Sequence, residues 1–226
     1  MKDKNRRIEE ILIVGTVLLL LALTMLVFQK TLPSSFQEIT GAVLTRVNVS
    51  LPLGAYCNFS LYSGLNLVSF FCLTTNDAVM HVFGNMSNLE AVFEYQELNS
   101  SDSWKIYNPN LPSFVIQDLQ YVSRLEGYWV EMSANENFLF EGGLRLPSSI
   151  ILTPGWNLAG YPTNQTKDVN TSFQSIDNNF TEVRAYNALG ANFFSYVPGV
   201  GGSLNQTEPY SGYWINSTVS EVWIVD

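Results

Sequence analysis

The side chains that could carry out chemistry are few and scattered. His81 is the only histidine and follows Asp77 by four residues on a predicted helix, so both side chains would share one helical face. A zinc or acid–base site would need further ligands, and no second histidine or clustered carboxylate supplies them. We therefore interpret His81 as a surface or partly packed residue.

Three other patterns that can mark a functional site are incomplete. Gly199-Val200-Gly201-Gly202 lacks the Lys-Ser/Thr ending of a phosphate loop and precedes no predicted helix. No Gly-x-Ser-x-Gly motif occurs, and neither cysteine adjoins a candidate base. Glu131, Glu136 and Glu141 have no acidic counterparts in the internal repeat described below, which argues against a repeated calcium site. We expect no catalytic residue, no metal site, no cofactor and no enzymatic activity.

The two cysteines bracket a predicted turn at Gly64-Leu65. A hairpin centred on that turn would place Cys57 opposite Cys72, so we predict a disulfide, with two free buried thiols as the alternative. A bridge closing a loop of this size contributes roughly 3 kcal/mol in the chain-entropy model. A disulfide would also indicate an oxidising, exported environment.

The elements that position these side chains contain short sequence motifs, here called words, that occur twice in the chain and in the same order. The two pairs of words are Gly64-Leu65-Asn66-Leu67 with Gly155-Trp156-Asn157-Leu158, and Gly127-Tyr128-Trp129-Val130 with Gly212-Tyr213-Trp214-Ile215. We interpret them as anchors of a duplicated domain. One larger β-domain with generic glycine–aromatic turns is the alternative.

Alternating apolar residues predict six short strands in each copy, and a 3.6-residue period predicts one short amphipathic helix. The helix signals are the spaced apolar residues Val79, Val82, Phe83 and Met86 in one copy and Val169, Phe173 and Ile176 in the other. The last two strands of each copy are expected to form a hairpin. The predicted fold class is mainly β (α+β), with two tandem antiparallel β-rich domains, each with one short helix, behind an N-terminal transmembrane helix.

The size of the tryptophans in the repeated words favours a structural role. A buried Trp or Tyr removes on the order of 150–250 Å² from water, and the resulting stabilisation is large compared with the free energy of unfolding of a small domain. We therefore predict that Trp129 and Trp214 lie in the core, with ligand stacking as the alternative. Gly127 and Gly212 are predicted to be turn residues entering those strands.

The apolar run from residue 11 to residue 28 contains no charge and is long enough to span a bilayer. It lacks the small-x-small site of a cleaved signal peptide, so an uncleaved anchor is favoured. Basic residues precede it, which predicts a cytoplasmic N-terminus and extracellular C-terminal modules. The predicted segments are a basic tail (1–10), the transmembrane helix (11–28), a juxtamembrane linker and extra strand (29–56), module 1 (57–146) and module 2 (147–226).

Residues 43–51 alternate as a strand that has no counterpart in the second copy. An edge strand of its own domain is the simpler interpretation. Addition to the sheet of a neighbouring molecule is the alternative, and it would suit a filament subunit.

Asn-x-Ser/Thr acceptor sequences are in excess, with nine present where chance would give about three. All lie beyond the apolar run and predict an exported surface carrying N-linked glycans. They are Asn48, Asn58, Asn85, Asn99, Asn164, Asn170, Asn179, Asn205 and Asn216. The net charge of −9 disfavours nucleic acid as a partner.

The repeat words, with an aromatic strand between them, resemble the Gly-Trp-Asn-Leu/Gly-Tyr-Trp-Val repeats of bacterial and archaeal extracellular surface proteins, including S-layer-like and stalk proteins. The resemblance covers residues 57–226, and copy one departs from it by having Leu65 where Trp is usual. It implies small β-rich modules without a shared enzymatic activity.

We expect a membrane-anchored, glycosylated cell-surface protein with a structural, adhesion or assembly role and with protein partners or self-association at the cell surface. A carbohydrate- or cation-binding ectodomain, or a subunit of a filament or envelope complex, is the alternative. Exposure of Trp104, Trp129, Trp156 and Trp214 along one groove would favour the binding module.

Overall fold

The structure, a computed structural model, describes residues 53–73, 77–99, 101–112, 114–144 and 146–226. Short antiparallel strands dominate these residues and helices are few and short, which confirms the mainly β prediction. Among the described residues, no helix is both long enough and apolar enough to cross a bilayer. The predicted membrane span, the strand at residues 43–51 and Asn48 lie outside the described residues.

The first half of the described chain contains six strands and one short helix. They are β1 (Leu53–Leu61), β2 (Gly64–Val68), α1 (Val79–Phe83), β3 (Leu89–Tyr95), β4 (Trp104–Tyr107), β5 (Tyr128–Met132) and β6 (Glu136–Leu144). Each predicted strand of module 1 corresponds to one of these strands. The helix buries Val79, Val82 and Phe83, as its apolar spacing predicted.

The second half repeats this order and adds three strands of two residues. Its elements are β7 (Ser148–Leu152), β8 (Gly155–Ala159), β9 (Lys167–Asp168), α2 (Val169–Ser172), a 3₁₀ turn (Gln174–Ile176), β10 (Phe180–Asn187), β11 (Asn192–Val197), β12 (Gly201–Gly202), β13 (Gln206–Thr207), β14 (Tyr213–Ser217) and β15 (Glu221–Val225). The predicted single helix is divided into α2 and the 3₁₀ turn.

The two halves have the same topology. The main sheet of module 1 has the order β2-β5-β3-β4, and that of module 2 has the equivalent order β8-β14-β10-β11, extended by β12. The outer strands pair separately, β1 with β6 and β7 with β15. Each half also has an irregularity at the same ladder position, between Leu89 and Ala91 in β3 and between Phe180 and Glu182 in β10.

The predicted hairpins are wrong, because the chain changes sheet at the turns that follow β1 and β5. β1 pairs with β6 rather than with β2, and β5 and β6 belong to different sheets. At the first turn Gly64 has a φ of +91°, and the Asn66 side chain bonds both the N–H and the carbonyl of Tyr62 at 2.9 and 2.7 Å. The side chain thus takes the place of a hairpin partner, and β1 is free to leave the sheet.

Each half has its own core behind its main sheet. In module 1 the buried cluster includes Phe70, Tyr128 and Phe138, and in module 2 it includes Tyr213 and Trp223. The anchor tyrosines also hold loops, because the Tyr128 hydroxyl accepts a hydrogen bond from the Ser123 N–H at 2.6 Å. Their buried position explains why a tyrosine recurs in each anchor.

The two modules meet along a seam with approximate twofold symmetry. The Gly127 N–H donates to the Leu158 carbonyl at 3.1 Å, and the Gly212 N–H donates to the Leu67 carbonyl at 3.3 Å. A Cβ on Gly127 would lie 3.0 Å from the carbonyl oxygen of Ala159. The prediction that Gly127 and Gly212 are turn residues is therefore wrong, since glycine is needed there for close approach between the modules.

Candidate functional site

The anchor tryptophans lie on the sheet faces that point away from the two cores. Tyr128 and Val130 face the core of module 1, and strand alternation turns Trp129 to the opposite side. By the same alternation along β14, Trp214 faces away from the core of module 2. Both indoles are half-buried, so the prediction that they are core residues is wrong.

Trp214 belongs to a cluster of three rings contributed by both modules. Its ring centroid lies 5.0 Å from that of Tyr95 and 6.1 Å from that of Trp104, both in module 1. Tyr95 and Trp104 are themselves 5.2 Å apart, edge to face. The geometry is that of favourable aromatic pairs, and Trp104 retains 37% exposure.

Trp129 forms the symmetry-related cluster. Its centroid lies 5.0 Å from Tyr186 and 6.1 Å from Phe193, both in module 2. Tyr186 and Phe193 are 5.1 Å apart. Each anchor tryptophan therefore packs against an aromatic pair of the other module.

These rings border an open cleft, which we call the aromatic cleft. It has a volume of about 290 Å³ and is lined by Tyr95, Trp156, Arg184, Phe193 and Trp214. Trp156 lies 6.3 Å from Trp214 across the β8–β14 ladder. The four tryptophans singled out from the sequence thus lie in one aromatic array, with one exposed and three half-buried indoles.

The charge in the aromatic cleft is locally balanced. The Arg184 guanidinium carbon lies 4.8 Å from the Trp156 ring centroid, within cation–π range. Two nitrogens of the same guanidinium bond the two carboxylate oxygens of Glu182, each at 2.8 Å. The fork fixes the cation beside the rings and leaves little net charge in the cleft.

The sequence-based prediction of the site did not include four residues of this array, which are Tyr95, Tyr186, Phe193 and Arg184. Tyr186 carried a signal, because it occupies the same repeat position as Tyr95 and both alternate with buried residues. Arg184 carried none, since the equivalent residue in module 1 is Phe93. The role of Arg184 in the cleft becomes visible only when the positions of the two sheets are known.

The cysteines form a disulfide with a Cα–Cα distance of 5.9 Å, and both residues are fully buried. The pairing agrees with the prediction, but the hairpin argument behind it does not. Cys57 lies on β1, which pairs with β6, and Cys72 lies beyond the end of β2. The bond therefore ties the outer ribbon to the chain leaving the main sheet.

Most of the acceptor asparagines are accessible. Those exposed among the described residues are Asn58, Asn85, Asn99, Asn164, Asn170, Asn179 and Asn205. Asn216 differs, because it is half-buried on the central strand β14, opposite Trp156. Seven sites thus meet the steric requirement of a glycan for solvent.

The polar residues considered first do not assemble into a metal site. His81 is exposed and lies edge-on to Phe140 at 5.7 Å. Glu136 accepts hydrogen bonds from the N–H groups of Ser87 and Asn88 at 3.1 and 2.9 Å. Within the described residues, no group of three or more His, Cys, Asp or Glu side chains is placed to hold a metal ion.

A carboxylate cluster lies at the module 1 side of the seam. Glu94 is buried, and Lys105 Nζ lies 3.5 Å from its carboxylate. Nearby Glu126 faces Ala159 of module 2 across an antiparallel bridge. Burial, and then repulsion from Glu97 and Glu94, raises the pKa of Glu126 to about 7.

Comparison of the chain with protein-family models, with curated proteins and with solved structures gives no significant match. The site is therefore interpreted from its own geometry. The aromatic cleft is the candidate, because it combines partly exposed aromatic side chains with a fixed polar pair in a site lined by both modules.

Proposed function

We propose that the chain is a membrane-anchored, glycosylated cell-surface adhesion protein whose ectodomain binds sugar rings in the aromatic cleft. The observation that carries this proposal is the position of Trp156 and Trp214, which border an open cleft instead of filling a core. Ligand sites are commonly apolar and aromatic with a few placed polar groups, and the cleft matches this description.

A sugar ring fits the chemistry of the cleft. One face of a pyranose is formed largely by C–H groups and packs on an aromatic ring, while its hydroxyls need donors and acceptors at the rim. Arg184 and Glu182 supply both beside Trp156. Because their charges offset each other, a neutral sugar is favoured over an acidic one. Nucleic acid is disfavoured by the net charge of −9.

The surface location is supported by independent features of the chain. The disulfide between Cys57 and Cys72 suits an oxidising compartment. The seven exposed acceptor asparagines suit a glycosylated exterior. The apolar run at residues 11–28 suits an uncleaved anchor with the N-terminus in the cytoplasm. The resemblance to repeats of extracellular surface proteins, with modules at 57–146 and 147–226, belongs to the same proposal.

Binding of the full chain in detergent micelles to an array of neutral oligosaccharides tests the proposal. Trp156→Leu copies Leu65, the residue at the same position of module 1, so this sheet position accepts leucine. Loss of one stacked ring costs about 1–3 kcal/mol for nucleobases, and a similar loss would weaken sugar binding by a factor of about 5 to 150. Phe193→Leu should weaken sugar binding by a similar factor.

Phe114→Leu is the matched control, because Phe114 is 83% exposed on a loop of module 1 and does not line the cleft. It should bind as the wild type does. Equal binding by Trp156→Leu and the wild type, or no binding of any neutral oligosaccharide, would contradict the proposal.

Self-association is a second candidate role, favoured by an apolar strip on the β7–β15 ribbon. Ile151 pairs directly with Val222, and these side chains are 73% and 45% exposed. The ribbon has two strands, and β7 pairs with no second strand among the described residues, so its outer edge is the candidate for strand addition. The outer edge of β15 is partly covered, because the Ile224 N–H donates to the Ser175 hydroxyl at 2.9 Å. Val222→Lys should reduce the oligomeric state in detergent if this strip joins neighbouring chains, and an unchanged state would exclude it.

A further inference from the structure

A second cavity, which we call the seam cleft, opens between the two modules with a volume of about 460 Å³. Phe59 and Tyr62 of module 1 line one wall, and Phe194 lines the other. The seam cleft and the aromatic cleft lie on opposite faces of β10, because Ala185 at the first alternates with Arg184 at the second. The two cavities are therefore separate sites.

The twofold relation between the modules provides an internal comparison. In module 2, Ala185 pairs with Phe194 across β10 and β11. The same ladder position in module 1 pairs Glu94 with Lys105 across β3 and β4. Glu94 is buried and Lys105 Nζ lies 3.5 Å from its carboxylate, so a charged pair occupies the position that Ala185 and Phe194 hold beside the seam cleft.

The seam itself shows the same difference. Ser211 of module 2 forms an antiparallel bridge with Val68, and the equivalent bridge joins Glu126 of module 1 to Ala159. The side with Ser211 lines the seam cleft, whereas the side with Glu126 carries the carboxylate cluster. The same backbone framework thus carries a carboxylate cluster on one side of the seam and the seam cleft on the other.

The side chains around the seam cleft define the ligand class. Aromatic rings are accompanied by the amides of Asn187, Asn205 and Gln206 and by the hydroxyl of Ser203. Among the described residues, the carboxylate of Glu208 is the only charged lining group, and no described Lys, Arg or His side chain lines the cavity. Amides and hydroxyls beside rings suit a polyhydroxylated ligand, and the absence of a cation from this lining disfavours an anion.

We propose that the seam cleft is a second binding site, which takes a neutral sugar of one or two rings. Its volume lies within the usual range for small-molecule sites, about 300–1,000 Å³. This site goes beyond the aromatic cleft and does not depend on it.

Hydrogen-exchange mass spectrometry of the full chain in detergent micelles tests the site, with maltose, cellobiose and N,N′-diacetylchitobiose as probes. The protein is made without glycosylation, because Asn205 lines the cleft and a glycan there would crowd it. At least one probe should slow exchange in peptides covering residues 59–68 and 203–211. Absence of protection there by all three probes overturns the proposal.

Two variants then test the assignment of the cavity. The double variant Ala185→Glu with Phe194→Lys transplants the Glu94–Lys105 pair into module 2. It should lower the affinity for the probe that gives protection at least tenfold. Phe194→Ala removes one wall at a partly exposed position and should also weaken it, which keeps the test valid if the double variant misfolds. Wild-type affinity in a folded variant overturns the proposal.

Phe193→Leu separates the two sites. Phe193 neighbours Phe194 on β11 but lines the aromatic cleft, so this variant should leave the protection of residues 59–68 and 203–211 unchanged. Loss of that protection in Phe193→Leu would show that the probes act through the aromatic cleft, and the seam cleft would then be refuted while the proposed function stood.

Discussion

The backbone N–H of Gly127 donates a hydrogen bond to the carbonyl of Leu158 at 3.1 Å, so the anchor glycine of module 1 is bonded to module 2. The equivalent bond joins Gly212 to Leu67 in the opposite direction. Each anchor word therefore contributes a glycine to the seam, a tyrosine to its own core and a tryptophan to the aromatic array. This division of roles explains why the words recur together.

Gly127→Ala should destabilise the ectodomain by about 1–3 kcal/mol, as overpacking does. The new Cβ would lie 3.0 Å from both the Ala159 carbonyl oxygen and Leu158 Cδ1. Thermal denaturation of the full chain in detergent measures the loss. Gln165→Ala, at an exposed position, is the control and should leave the transition unchanged. An unaltered transition in Gly127→Ala would show that the seam accommodates the new Cβ without loss of stability, which would contradict this prediction.

Asn157→Ala should cost about 2–3 kcal/mol, because buried backbone groups lose their partners. The Asn157 amide donates to the carbonyls of Thr153 and Gly155 at 2.8 and 2.9 Å, and its oxygen accepts from the Thr153 N–H. Asn66→Ala removes the equivalent bonds in module 1 and should cost a similar amount. Chemical denaturation compares the two. A large cost at only one site would contradict the equivalence of the turns.

Ionisation of Glu126 should make stability fall as pH rises. Its pKa is about 7 in the folded chain against an ordinary 4.5, so between these values the folded state binds a proton that the unfolded state has lost. The resulting loss, complete above pH 7, should be on the order of 2 kcal/mol after allowance for partial exposure. Glu126→Gln should flatten the profile and be more stable than the wild type at about pH 8. Parallel profiles of the two proteins would refute this assignment.

Replacing both cysteines by serine should lower the free energy of unfolding by roughly 3 kcal/mol. The bond between Cys57 and Cys72 joins β1 to the chain beyond β2, so its loss frees the outer ribbon from the main sheet. Denaturation of the wild type with and without reductant, beside the double variant, measures the effect. If reductant also destabilised the double variant, the effect would not arise from this bond.

The longer strands were predictable because each is a local pattern, whereas the two-residue strands β9, β12 and β13 were not predicted. The equivalent strand order of the two halves was predictable because the repeated motifs keep their order. Strand partners were not, since a tight turn at Gly64 looks the same whether β1 pairs with β2 or leaves for β6. The hydrogen bonds of the Asn66 side chain favour the pairing of β1 with β6, and a hydrophobic periodicity contains no information about such side-chain bonds.

The candidate site was predictable only in part. Alternation along β5 implied that Tyr128 and Trp129 face opposite sides, but size alone does not tell which side is the core. The aromatic cleft also needs both modules, because Tyr95 and Trp214 are brought to 5.0 Å only by the seam. Non-local placement of this kind carries no signal in a single sequence.

Fluorine NMR of the full chain, with its five tryptophans replaced by 5-fluorotryptophan, tests the central claim most directly. On titration with a neutral oligosaccharide selected from the array, the resonances of Trp156 and Trp214 should shift saturably, while that of fully buried Trp223 should not. Single Trp→Phe variants assign the signals. Saturable shifts at Trp156 and Trp214 are the predicted result. Unmoved Trp156 and Trp214 resonances in the presence of a bound sugar would contradict the account.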